Sequence, residues 1–287
     1  MPDVITILGK IIIAFFIICA IIFVLIIAAM GIAGIHAKEE SMMADYSYEL
    51  SLSTSKPLYN ATLLIPLPCR YETESGEYDT FINLSDVSCK YFDQPDISMQ
   101  IESWNGYTVL NISSKSILPL YKNHIDPIPI YPGQNESELP PTPATVYSNN
   151  YSSGTQEQVS MEIHRYIEKD SGEIDTKQPF DNEELMRPFT ILNMTGKDDG
   201  FFSKDYFSGK ISDEYSKSQI EVPVFLSYET DRDNILDISS SVRGANEWWC
   251  FGWSGNSYEQ RIGNSFGGSR NGTYMLEGYL VAGEGVY

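Results

Sequence analysis

Between Ile11 and Ile35 lie 25 consecutive residues without a charged or strongly polar side chain, eleven of them isoleucine. As a helix at 1.5 Å per residue this run is about 37 Å long, enough to cross a roughly 30 Å hydrocarbon core with some tilt. The core helix of a soluble domain carries a polar stripe where it meets solvent, and this one has none. A secretory h-region is only about 7–15 residues long, so the length favours an uncleaved anchor, although Gly31-Ile32-Ala33 offers a small-residue cleavage position after Ala33. The reading is therefore a short cytoplasmic tail (1–10), a transmembrane helix (11–35) and a C-terminal ectodomain (41–287). Lys10 and the amino terminus before the span, partly offset by Asp3, against His36, Lys38, Glu39 and Glu40 after it, give a weak positive-inside push in that direction.

Seven Asn-x-Ser/Thr triplets strengthen the orientation: Asn60, Asn83, Asn111, Asn135, Asn150, Asn193 and Asn271. Fifteen asparagines in a chain of this Ser and Thr content would give two or three by chance, and all seven follow the span. N-glycosylation occurs on the translocated side, so these sites are expected to carry glycans on an extracellular domain. The charge fits a surface protein. With 39 acidic against 19 basic residues the net charge is -20, which excludes nucleic acid as a partner and argues against docking on anionic headgroups.

Beyond the anchor the pattern is β. Tyr46 to Leu52, Ile220 to Tyr228 and Tyr274 to Leu280 alternate with period two, and Leu63 to Leu67, Tyr107 to Ile112, Met161 to Ile167 and Phe189 to Met194 are further short strands. Pro223 on the outward face of its run points to an edge strand. Residues 182–187 fit one helical turn. Seven of the 15 prolines fall between Pro119 and Pro143, which marks 119–150 as a linker or long crossing loop. The expected class is an all-β, antiparallel, sandwich-like ectodomain behind one transmembrane helix.

Candidate chemistry is sparse. Gly263-Asn264-Ser265-Phe266-Gly267 matches a nucleophile elbow in spelling, but turn residues follow it and no histidine lies downstream, so it reads as a hairpin loop. His124 and His164 are too separated for a triad or zinc cluster. Asp231, Asp233 and Asp237 lack the fifth-position ligand and sixth-position glycine of a calcium loop, since Ile235 and Leu236 stand there. Asp198-Asp199-Gly200 and Asp170, Glu173 and Asp175 read as solvated acidic turns. Cys69 and Cys89, 20 positions apart, are the preferred disulfide among Cys69, Cys89 and Cys250, with about 3 kcal/mol from loop closure. The block Asn246 to Trp253 holds three of the four tryptophans. A core strand is the first reading of it; a sugar-stacking patch through Trp248 and Trp253 is the second.

The Ile-rich anchor, the strand Asn60 to Pro68 (NATLLIPLP) and the block Gly244 to Trp253 (GANEWWCFGW) with Gly278 to Tyr287 resemble the uncharacterised single-pass surface proteins of methanogen-type archaea. The resemblance implies a membrane-anchored extracellular β domain with no assigned reaction, so it carries over no functional residues. Archaeal pilins are similar in placing a hydrophobic helix before a β domain, but Leu8-Gly9-Lys10 lacks a charged residue ahead of the glycine. The expected function is a binding or structural role at the cell surface, with no catalytic residue, cofactor or metal. Its expected partners are the membrane, a copy of itself or another surface protein, and a glycan. A filament or lattice subunit assembled through the helix, where Ala29 and Ala33 form a small-xxx-small pair, is the second expectation. A glycan- or peptide-active enzyme is the third.

Overall fold

The computed structural model describes residues 2–72, 77–85, 88–90, 96–119, 121–124, 145–148, 155–158, 161–169, 174–194 and 211–286. The chain opens with helix α1 (Pro2–Ser41) and strands β1 (Met43–Thr54), β2 (Leu58–Pro66), β3 (Pro68–Glu72), β4 (Glu77–Asp79), β5 (Ser88–Lys90) and β6 (Ile97–Trp104). Strands β7 (Tyr107–Ile117), β8 (Tyr121–His124), β9 (Thr145–Ser148), β10 (Thr155–Gln158) and β11 (Met161–Lys169) lead to the one-turn helix α2 (Pro179–Asn182). Then come β12 (Leu185–Met186), β13 (Thr190–Met194), β14 (Ile211–Glu229), β15 (Ile235–Trp249), β16 (Trp253–Gly267) and β17 (Arg270–Val286). The all-β antiparallel class after a long N-terminal helix is as expected.

One antiparallel sheet dominates, ordered β5-β11-β1-β15-β16-β17-β14-β2-β7-β6 with β13 beside β14, and it curls into a half-barrel. Two three-stranded sheets accompany it, β10-β8-β9 and β12-β3-β4. The core lies on the inner face. Tyr46, Tyr48, Leu50 and Leu52 of β1 meet Val222, Val224 and Leu226 of β14, Leu63 and Ile65 of β2, and Leu110 and Ile112 of β7. The large sheet grades small against large. Tyr46 pairs with Gly244, and Gly244 pairs with Tyr258 on its other side, so two tyrosine rings share the layer that one glycine leaves open.

Residues 174–186 form a plug that packs into the core and bonds to side chains of β16. Ile174, Leu185 and Met186 enter the core, and Phe81, Leu84 and Phe180 pack against it. The helical turn read at 182–187 sits earlier, at Pro179–Asn182, because Pro179 is preset for a first helical turn and Glu183 is already extended.

Pro223 is not on an edge. Strand β14 pairs with β17 along one side, Pro223 facing Met275, and with two strands in turn on the other: β13 up to Glu221 and β2 from Phe225. The carbonyl of Glu221 accepts the Phe189 N–H on that second side. Pro223, two residues on, points the same way, so its missing N–H falls into the gap between β13 and β2. Residues 263–267 are likewise strand, not loop; the β16–β17 turn is Gly268-Ser269, with Gly268 at φ 67°.

Candidate functional site

The tryptophan block folds as the end of a hairpin. The last pair of the β15–β16 ladder is Trp249 with Trp253, leaving Cys250-Phe251-Gly252 as the turn, closed by Cys250 N–H donating to the Gly252 carbonyl at 2.9 Å. Phe251 adopts φ 56°, a left-handed conformation that costs a residue with a Cβ about 1–2 kcal/mol. The strain turns its ring back toward α1. At Gly34 a Cβ would lie 2.9 Å from the Phe251 ring and 3.1 Å from Cys250 Sγ, so with any other residue there these side chains would have to shift.

Further contacts tie the helix end to the tip. Trp249 N–H donates to Ser41 Oγ at 2.8 Å, and that hydroxyl donates to the Ala37 carbonyl at 2.6 Å. Lys38 Nζ stands 4.7 Å from the centre of the Trp248 ring, a cation–π contact. The Trp249 and Phe251 rings are tilted at 53° with 5.9 Å between their centres. These aromatics are nonetheless open: Trp249 is 40% exposed, Phe251 58% and Trp253 48%.

The core-strand reading of this block is therefore overturned: Trp249, Phe251 and Trp253 are exposed, and Trp248, on the inward row, is only half-buried beyond Asn246, the last buried position of β15. Of the two tryptophans read as a sugar-stacking pair, Trp248 carries Lys38 near its ring and Trp253 is 48% exposed. The contacts missed in the sequence are those of Gly34, Lys38 and Ser41; their signal was the glycine in the last turn of an apolar span, with a lysine one turn beyond.

A second polar cluster clamps the plug. From β16, Asn256 Nδ2 donates to the Ile174 carbonyl at 2.9 Å and Tyr258 Oη to the Glu184 carbonyl at 3.0 Å. Gln260, fully buried, accepts from Met186 N–H and donates to Met186 C=O, both at 2.7 Å, taking the place of a ladder partner. Glu183 Oε1 accepts the Asp175 N–H at 2.6 Å. Burial pushes the Glu183 carboxyl up to about 7, against that opposing hydrogen bond, and burial together with Glu183 and Glu184 pushes Tyr46 up to about 12.

The other expected positions scatter. Asn60, Asn83 and Asn271 are exposed. Asn111 is half-buried, with its Nδ2 donating to Glu102 Oε1 across the β6–β7 pair at 3.2 Å. Asn193 lies on β13, its side chain outside the described residues, and Asn135 and Asn150 lie outside them altogether, as does most of 119–150. Asp170, Glu173, Asp198 and Asp199 also lie outside.

The expected bridge from Cys69 to Cys89 is not made. Cys69 is a free, buried thiol on β3, where burial pushes its pKa up to about 11, whereas Cys89 is on β5 at the rim of the other sheet and its side chain is outside the described residues. Asp231 and Asp233 both reach Lys56 Nζ, at 3.1 and 2.6 Å, which makes this turn a clasp between β1 and β15. No group of His, Cys, Asp and Glu suited to a metal occurs among the described residues. The chain matches no protein-family model, and no curated protein and no solved structure matches it.

Proposed function

We propose that this chain is a single-pass, membrane-anchored surface protein whose glycosylated β domain serves a binding or structural role outside the cell. The observation that carries the reading is the state of α1. Residues Leu8–Ser41 are long and apolar enough to cross a membrane, and among the described residues the most apolar window of the helix is not buried. A soluble domain would leave that surface in water at a large hydrophobic cost. The exposed sequons Asn60, Asn83 and Asn271 and the acidic charge support an extracellular domain. Alkaline extraction of membranes followed by protease treatment of intact cells tests it. The chain is expected to stay with the pellet and to lose everything after Lys38 to the protease; full protection of that region overturns it.

A further inference from the structure

We propose that the β15–β16 hairpin tip, Trp249, Phe251 and Trp253, is set into the headgroup–acyl boundary of the leaflet from which α1 emerges, with lipid as its occupant. This rests on the anchoring reading above and adds a second membrane contact to it. Depth is the first argument. The apolar span ends at Ile35, and Phe251 and Cys250 pack on Gly34, so the turn is level with the last residues of the span rather than above them. The next helical turn carries His36, Lys38, Glu39 and Glu40, the charged layer expected just outside hydrocarbon.

Chemistry is the second. Exposed Trp and Phe with a Lys ammonium beside an indole ring is the composition of an interfacial belt, where the amphipathic indole ring is better placed than in water or in hydrocarbon. The tip is also held in that attitude, by the Ser41–Trp249 hydrogen bonds and by the close approach of the Phe251 ring to Gly34. Because the chain carries -20, the insertion relies on apolar burial rather than on attraction to anionic lipid.

The test uses the full chain in zwitterionic phosphatidylcholine vesicles brominated either near the ester end or near the methyl end of the acyl chains. A Trp104→Phe background removes the tryptophan of β6. Loss of fluorescence is expected to be greatest with the shallow bromines, smaller with the deep ones, and slight with acrylamide in the water. A Phe251→Asp change at the tip, which removes no core residue, is expected to shift quenching from bromine to acrylamide. Full acrylamide quenching with no bromine effect, in a chain that still resists alkaline extraction, overturns the proposal and leaves the anchor standing. Protection from both quenchers with a doubled native mass also overturns it and makes a second copy the occupant. Release of the chain by alkali overturns both readings.

Discussion

At the scale of single residues, polar and small side chains hold this domain in register where apolar ones cannot. Gln260 satisfies both backbone groups of Met186 inside the core. Replacing it with leucine keeps the volume but strands a buried N–H and a buried C=O, so Gln260→Leu is expected to lower stability by about 2–4 kcal/mol in urea unfolding of the detergent-solubilised chain. Gly244 works through absence. A Cβ there would lie 2.5 Å from the Tyr258 ring, which is itself fully buried and cannot yield. Gly244→Ala is therefore expected to cost about 1–3 kcal/mol by overpacking, read in the same unfolding experiment. Neither residue stands out in the sequence, since a glutamine or glycine at an alternating position looks the same whether it faces inward or outward.

At the scale of elements, the plug of residues 174–186 is the part whose fit depends on pH. Glu183 has an ordinary pKa of 4.5 and is raised to about 7 by burial. The folded state thus holds that proton more tightly than the unfolded chain. Its stabilising contribution is complete below about 4.5 and is lost as the pH rises through 7. The urea midpoint is expected to fall between about pH 5 and pH 8, and Glu183→Gln is expected to flatten that part of the profile. A midpoint independent of pH would mean that Glu183 does not bind its proton more tightly in the fold.

The strands of period two were readable because their inward positions are uniformly apolar, as in Ile220, Val222, Val224, Leu226 and Tyr228. Strand β15 was not. Its inward row includes Ser240 and Gly244, which sit inside because larger partners flank them, Leu50 and Ile262 beside Ser240 and Tyr46 and Tyr258 beside Gly244.

At the scale of the whole molecule, helix and domain are separate in their cores. The buried cluster begins at Ala44 and, among the described residues, takes nothing from α1. A chain starting at Met42 is accordingly expected to keep its unfolding midpoint to within a few degrees while losing membrane attachment, a comparison that thermal scanning makes directly. The sheet also has polarity. The helix exit and the tryptophan turn lie at one end, and the Lys56 clasp lies at the other, roughly 45 Å away along the 15 residues of β15.

The sequence by itself determined the apolar helix, the antiparallel β class and the alternation within β1 and the middle of β14 and β17, because transfer from water and a period of two act locally and leave a trace in composition. Only the tertiary structure decided that the tryptophan turn lies against the last turns of α1, that Pro223 faces a gap in a central strand, and that Gln260 and Glu183 lock a plug. Those outcomes depend on which distant segments share a face, and the entropy of closing such long loops is offset only when the sheet assembles as a whole.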